Sequence, residues 1–399
     1  MVEATTNHEP LLKTYLHNFP FLFLCLAGVA GEAHTSPIVL DQGSPVSLLA
    51  ERHVTDESVL VALGELAFKS EVLLEASRSF GIHLSCDSCH PDGGTTKVLF
   101  IQGLSGKPGT IDITNRAMTL YEDGSFNPVN VPSIFGARHT PPYSRSGNFP
   151  TLRDFTRFVV VEEFGGIEPG ALTLDALVAY EESLNFLQNS MINEEGKLLV
   201  GSSDSAKRGE QLFWRPFSKV MDVKCATCHD PKGFFVDGKK HDVGTGVVVD
   251  TPTLRDLLIT APYMHDGRFD SLVQVVAHFD EHYGLVLTQQ ERGDLVAYLE
   301  VIGGGEVAKE TDAIAVQLET VILLLKRTIQ AKDWALGKMV TTQALVELNA
   351  ERARAGPKRQ QLVDRFISAL GQIDSYNKIE KYAASMLILS GLEKTLAVR

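Results

Sequence analysis

Six residues of this 399-residue chain have the types and spacing to do redox chemistry. Cys86, Cys89 and His90 stand in "SCDSCHPDGG", and Cys225, Cys228 and His229 stand in "KCATCHDPKG". Cys-x-x-Cys-His is the pattern of covalent haem attachment: two thiols add across the vinyl groups, and the adjacent histidine lies under the iron as its proximal ligand. Paired cysteines also serve other chemistries, as a four-thiolate zinc set or as a redox dithiol. Neither requires a histidine directly after each pair. The motif therefore predicts two covalently attached haem c groups, haem 1 above His90 and haem 2 above His229. The fifth cysteine, Cys25, leaves no second pair for a disulfide framework.

The elements that position these motifs repeat as well. "PSIFGARHTPPYSRSGNFPTLRDF" from Pro132 and "PTLRDLLITAPYMHDGRFDSLVQV" from Pro252 align at an offset of 120 residues, so that Pro142/Pro262, Tyr143/Tyr263, Gly147/Gly267 and Phe149/Phe269 coincide. "ALVAY" at 176–180 likewise matches "DLVAY" at 294–298. Self-similarity at this scale signals a duplicated domain. The expected fold is mainly α: two tandem class-I-like cytochrome c domains at 41–200 and 201–304, then a helical C-terminal domain at 305–399. Leu174, Leu177, Val178 and Leu184 have the spacing of a closing helix in the first unit. Thr288 and Glu291 form a capping-box pattern at the start of its counterpart. Beyond Gly303–Gly305, Ile314, Leu318, Val321, Ile322, Leu325 and Ile329 make one apolar stripe, and Leu362, Phe366, Ile367, Leu370 and Ile373 make another. "GP" at 356–357 breaks the run between them, predicting three or four helices with a packing or docking role.

Composition narrows the partners. Apolar residues make up 44% and charged residues 22%, as in a globular protein, and the net charge of −13 argues against nucleic acid. "FPFLFLCLAGVA" at 19–30 falls short of the roughly 20 apolar residues that span a bilayer. It matches the core of an export signal over residues 1–33, cleaved after Ala30 or Ala33. The expected location is periplasmic, with membrane contact only through that signal.

Two haem c motifs in tandem, each followed by P-[ST]-[LI] and PY-x-x-x-G, resemble the bacterial di-haem cytochrome c peroxidase family, which includes the methylamine-dehydrogenase-maturing di-haem enzyme. The resemblance is most specific in "TPTLRDLLITAPYMHDGRF" and in "KKHDVGTG" just upstream. It implies a periplasmic enzyme that reduces hydrogen peroxide with electrons from a small cytochrome c or cupredoxin, or that uses peroxide to oxidise a partner protein. It further implies a peroxide-binding haem, an electron-holding haem and a calcium ion between the domains. Peroxide reduction takes two electrons and such carriers deliver one, so a second haem in the same chain has a use. A non-catalytic di-haem electron carrier is the alternative, and the oligomeric state is open.

The resemblance also implies site residues. A carboxylate over haem 1 assists peroxide cleavage; Glu163 in "VVVEEFGG" fits best, beside Glu162, with His139 as its rival. Arg138 or Arg145 is placed to stabilise a developing oxyanion. For haem 2 the family's sixth iron ligand falls at Phe279, which cannot bind a metal. His282, three residues on along the same helix, is the expected replacement, with His278 and Met264 as further candidates. The tryptophan that relays electrons between the haems in the family is expected near Arg145 and is missing. If the export reading holds, mass spectrometry of the mature protein gives an N-terminus at Gly31 or His34; a mature protein that retains residues 19–30 overturns it.

Overall fold

The computed structural model describes residues 56–74, 81–115, 118, 122–217, 222–305, 318–354 and 356–397; the expected export segment and Ile314 lie outside them. Among the described residues the chain forms twelve α-helices and two short antiparallel ladders. The mainly helical expectation is met.

Lobe 1 is built on α1 (Asp56–Lys69), α2 (Cys86–Cys89), α3 (Leu152–Phe158) and α4 (Ala171–Ser183), with a ladder of β1 (Thr110–Ile111) and β2 (Val129–Asn130). Lobe 2 repeats the plan with α5 (Asp204–Phe213), α6 (Cys225–Cys228), α7 (Leu272–Tyr283), α8 (Gln289–Ile302), β3 (Lys240–Asp242) and β4 (Val248–Asp250). The repeat extends to single residues. Tyr143 bridges to Phe149 and Tyr263 to Phe269, and left-handed backbone recurs at Gly136 and Asp256, Ser144 and Met264, Gly147 and Gly267. The predicted capping box is present: Thr288 Oγ1 accepts from Glu291 N, and Glu291 Oε2 accepts from Thr288 N.

Each lobe closes through one helix crossing, α1 on α4 and α5 on α8. At its centre is a glycine. A Cβ on Gly64 would collide with the carbonyl of Ala176 and lie 2.7 Å from Tyr180 Cβ; on Gly209 it would collide with the carbonyl of Asp294 and lie 2.7 Å from Tyr298 Cβ. One turn on, Phe68 and Phe213 each meet that tyrosine with ring centroids 5.1 Å apart. The chain thus carries a second repeated motif, Gly-Glu-x-x-Phe at 64–68 and 209–213. Lobe 2 adds an ion clamp: Arg208 donates to both oxygens of buried Asp294 at 2.8 Å, which holds that carboxyl well below the usual range. Lobe 1 has Ala176 at the corresponding place.

Four further helices follow, α9 (Leu318–Gln330), α10 (Trp334–Arg354), α11 (Pro357–Lys378) and α12 (Tyr382–Ala397). Gly356 and Pro357 stand at the N-terminus of α11, the residue pair that favours a new helix start. The two apolar stripes face one core, and it is continuous with lobe 1: Leu325, Leu336, Phe366 and Leu370 join the cluster that holds Leu63, Phe68 and Leu177. Asp333 fastens the junction. Its carboxylate accepts from Leu336 N, capping α10, and from Thr173 N and Oγ1 in the first turn of α4. One buried side chain therefore caps two helices.

The lobes meet across a seam with near two-fold character. Asn130 N donates to His265 O at 2.9 Å, and Asp250 N donates to Arg145 O at 3.0 Å. The second bond repeats the first at the 120-residue offset with the lobes exchanged. Lys107 Nζ pairs with Asp270 at 2.8 Å, and Leu187, in the connection between lobes, donates its N–H to buried Asp256. No helix among the described residues is long and apolar enough to cross a membrane.

Gly209→Ala is expected to lower unfolding free energy by about 1–3 kcal/mol, as overpacking does. Gly293→Ala, on the open face of α8 with no atom within 4 Å of its Cβ, is the control and should be neutral or stabilising. Chemical denaturation of both variants checks the pair.

Candidate functional site

Both Cys-x-x-Cys-His motifs form a single helical turn, α2 or α6, that ends at the histidine. A serine or threonine inside each turn reaches back to the backbone: Ser88 Oγ accepts from Ser85 N, and Thr227 Oγ1 accepts from Lys224 N, each at 3.0 Å. At i and i+3 of one turn the two thiols share a helix face, and the histidine stands at the turn's end. The imidazoles are then oriented by the backbone. His90 Nδ1 lies 2.8 Å from Pro132 O, and His229 Nδ1 lies 2.9 Å from Phe235 O. A carbonyl only accepts, so Nδ1 carries the proton and Nε2 keeps a free lone pair. That second hydrogen bond is the usual support of a metal-binding histidine. Burial lowers the pKa of both rings, which keeps them neutral and able to ligate.

The thiols do not favour the rival chemistries. The two pairs lie in separate lobes, and the potential metal group found among the described residues contains one of the four, Cys228, with Asp237 and His241. A shared zinc site is thus not formed. Burial pushes Cys89 and Cys225 up to about 12 and raises Cys86 and Cys228 as well. A reactive dithiol needs the opposite shift. Buried, protonated, unpaired thiols beside a neutral imidazole with a free Nε2 fit covalent haem.

The residue expected to work over haem 1 is brought to it. α3 runs into a wide turn, Val159–Glu163, in which Phe164 N reaches back to Val159 O at 3.0 Å. Such π-turns re-aim the side chains that follow. Gly166 pins the exit, donating to Val160 O at 2.8 Å, where any side chain would strike Leu73 O. Glu163 ends half-buried and close enough to Cys89 to raise its pKa. Its own carboxyl is pushed up to about 7 by burial, against the pull of Arg145. Glu162 is exposed and faces Arg157 at 4.0 Å.

His139 goes elsewhere. Its Nε2 accepts from Arg138 Nε at 2.9 Å, and its ring stacks on Phe234 at 4.3 Å and Phe186 at 6.1 Å, filling the lobe contact. Arg138 is further engaged with Asn185, so Arg145 is the arginine that faces Glu163.

In lobe 2 the counterpart of Glu163, 120 residues on, is Tyr283. It too faces the attachment thiols: its pKa is raised by burial and then by Cys228, Asp242 and Cys225, while Phe217 stacks on its ring at 5.0 Å. His282 corresponds to Glu162 and is exposed like it, its Nδ1 against Gly244. His278 Nε2 is bonded to Val243 O at 2.7 Å, and Met264 lies in a left-handed turn of the seam loop. Beyond this offset nothing in the residue pattern singles out Tyr283.

Sequence reasoning also missed Glu181. It is 9% exposed, and its Oε2 accepts from Thr156 Oγ1 at 2.7 Å. Burial pushes its carboxyl up to about 7, and its charge acts on Cys86.

The duplicated lobes thus each present an attachment turn whose thiols and imidazole suit a haem c. Residues 203–304 match the family model of di-haem cytochrome c peroxidase. Among curated relatives it is 26% identical to hydrazine synthase subunit gamma of Kuenenia stuttgartiensis over 63% of this chain and 80% of that one. It is 30% identical to the methylamine utilization protein MauG of Methylophilus methylotrophus over 26% of this chain and 38% of that one. It is 25% identical to the cytochrome c peroxidase Ccp of Escherichia coli over 66% of this chain and 62% of that one. The chain thus spans most of the first relative and under two thirds of the other two. Among solved structures, hydrazine synthase from K. stuttgartiensis aligns with TM-score 0.45 and 24% identity, over 69% of this chain and 98% of that one.

Acid–acetone extraction followed by a pyridine haemochrome assay should leave about two haems per chain on the protein, and His229→Gly should alter the spectrum of one of them only. Haem that extracts freely overturns the assignment.

Proposed function

We propose that this chain is a di-haem c-type peroxidase or peroxidase-like oxidoreductase, built as two tandem class-I-like cytochrome c domains. It reduces hydrogen peroxide with electrons from a small cytochrome or cupredoxin, in the periplasm. The observation that carries this reading is Glu163. A carboxyl beside Cys89, pushed up to about 7, keeps its proton at neutral pH and can give it up there. General acid catalysis asks for a pKa near the working pH.

Each haem, when attached, supplies a one-electron redox iron. The protein's own part divides between the lobes. His90 and His229 offer Nε2, fixed by Pro132 O and Phe235 O. Glu163 holds the proton on the side of haem 1, and Arg145 beside it offers positive charge for a developing oxyanion. Lobe 2 has Tyr283 in place of that acid, which suits a haem that stores an electron. From α7 the phenol of Tyr283 is better placed toward haem 2 than the exposed imidazole of His282. Among the described residues, two seam oxygens suit a calcium ion: Asn130 Oδ1 and Asp250 Oδ1 are both buried without a hydrogen-bond partner, beside the paired bonds to His265 O and Arg145 O. The helical bundle, continuous with the core of lobe 1, has a packing role.

Glu163→Gln keeps the shape and removes the titratable proton, so peroxide turnover should fall about 10²–10⁴-fold with both haems still attached. The acid form of Glu163 is present below about pH 7 and lost above it. Native turnover should therefore decline on the alkaline side, and the residual rate of the variant should lack that limb. Stopped-flow rates across pH test both, and native-rate turnover by Glu163→Gln defeats the assignment.

A further inference from the structure

Lobe 1 holds a second buried carboxyl that the peroxidase reading leaves without a task. Glu181 lies one residue after the crossing tyrosine, Tyr180, on α4. The corresponding residue after Tyr298 on α8 is Leu299, which is buried in the core of lobe 2. The duplicated fold thus presents the same wall to each attachment turn, apolar in lobe 2 and carboxylic in lobe 1. The C-terminal end of α4 packs on the haem 1 motif, with Leu184 against Gly93. Glu181 is the first charged group to act on Cys86 after burial itself. Cys86 would be a haem attachment point rather than an iron ligand, so a charge on Glu181 would act on haem 1, once attached, through the wall beside that thiol.

We propose that Glu181 lowers the reduction potential of haem 1 and couples its reduction to the uptake of one proton. A carboxylate in a low-dielectric wall favours the more positive ferric state. When one electron arrives from a redox-protein donor, that support is lost and Glu181 takes one proton from solvent. The groups that face it are few. Thr156 donates to it from α3, Glu182 follows it on α4, and Tyr143, whose phenol feels both glutamates, closes the loop side. None of these is a cation that would hold Glu181 ionised at low pH. Burial places its change of state near pH 7, within working range. The sign follows: above that pH the carboxylate is charged and the potential of haem 1 is lowest, and as pH falls the charge and its effect disappear.

The inference rests on haem attachment at Cys86 and Cys89 and does not depend on peroxide turnover. Spectroelectrochemical titration of the native protein between pH 5 and 9 tests it, with the haem 2 wave assigned as the one displaced by His229→Gly. The haem 1 wave is expected to fall with rising pH through neutrality while the haem 2 wave stays flat. Glu163 also titrates near pH 7 in lobe 1, so the variants are made in Glu163→Gln: there the haem 1 wave should still fall with rising pH, and adding Glu181→Gln should make it pH-independent. Glu181→Leu, which copies the pairing of lobe 2, should do the same. A native haem 1 wave that ignores pH, or Glu181 variants that still follow the native curve, overturns the proposal. A native protein with two haems and this pH-linked wave but no peroxide activity would sink the peroxidase reading and leave the role of Glu181 standing.

Discussion

Everything in each lobe hangs on a backbone contact that only glycine permits. At Gly64 and Gly209 a helix lies so close to its partner that a carbonyl occupies the space of a side chain. That approach brings Tyr180 and Tyr298 against Phe68 and Phe213 and sets the register of the closing helix. The register decides which residue of α4 or α8 faces the attachment turn. A slide of one residue would carry Glu181 around the helix by about 100° and away from Cys86. The contact holds no catalytic group, yet it fixes which side chains face each attachment turn.

Against that shared frame the two lobes differ in chemistry at a few positions. Lobe 1 has Glu163 where lobe 2 has Tyr283, Glu181 where it has Leu299, and a π-turn where α7 continues as a regular helix. Lobe 2 has the clamp of Arg208 on buried Asp294 where lobe 1 has Ala176. Lobe 1 gains support of another kind, the four-helix extension docked through Asp333. Two carboxyls that burial pushes up, half-buried Glu163 and buried Glu181, lie in one lobe, and the larger continuous core lies on that same lobe.

Much of this was legible in the sequence because it rests on local rules. The attachment motif, the Thr288–Glu291 capping box and the Gly356–Pro357 break each act over a few residues. The 120-residue offset was legible because "PPY" and "APY" loops survive duplication intact. Glu163 was reachable from its resemblance alone. What escaped needs distance. Gly-Glu-x-x-Phe is short and lies at different separations from the two motifs, so it does not keep the 120 offset. Glu181 reads as an ordinary helix acid until burial is known. Asp333 reads as a turn residue until the first turn of α4, 160 residues earlier, arrives beside it. That Tyr283 rather than His282 faces the attachment thiols is a matter of helix phase, about 100° per residue.

The paired seam bonds, Asn130 to His265 and Asp250 to Arg145, have a consequence for ancestry. A surface patch that meets its own copy, residue i to j and j to i, is the signature of an isologous two-fold dimer. The seam retains that signature inside a single polypeptide. In a dimer of identical subunits both pockets must mutate together, because one gene writes both. Joining the copies end to end frees each to drift alone while the old symmetric contact keeps them docked. An acid can then settle in one pocket and a leucine in the other, and an asymmetric machine grows out of a symmetric one without a new interface.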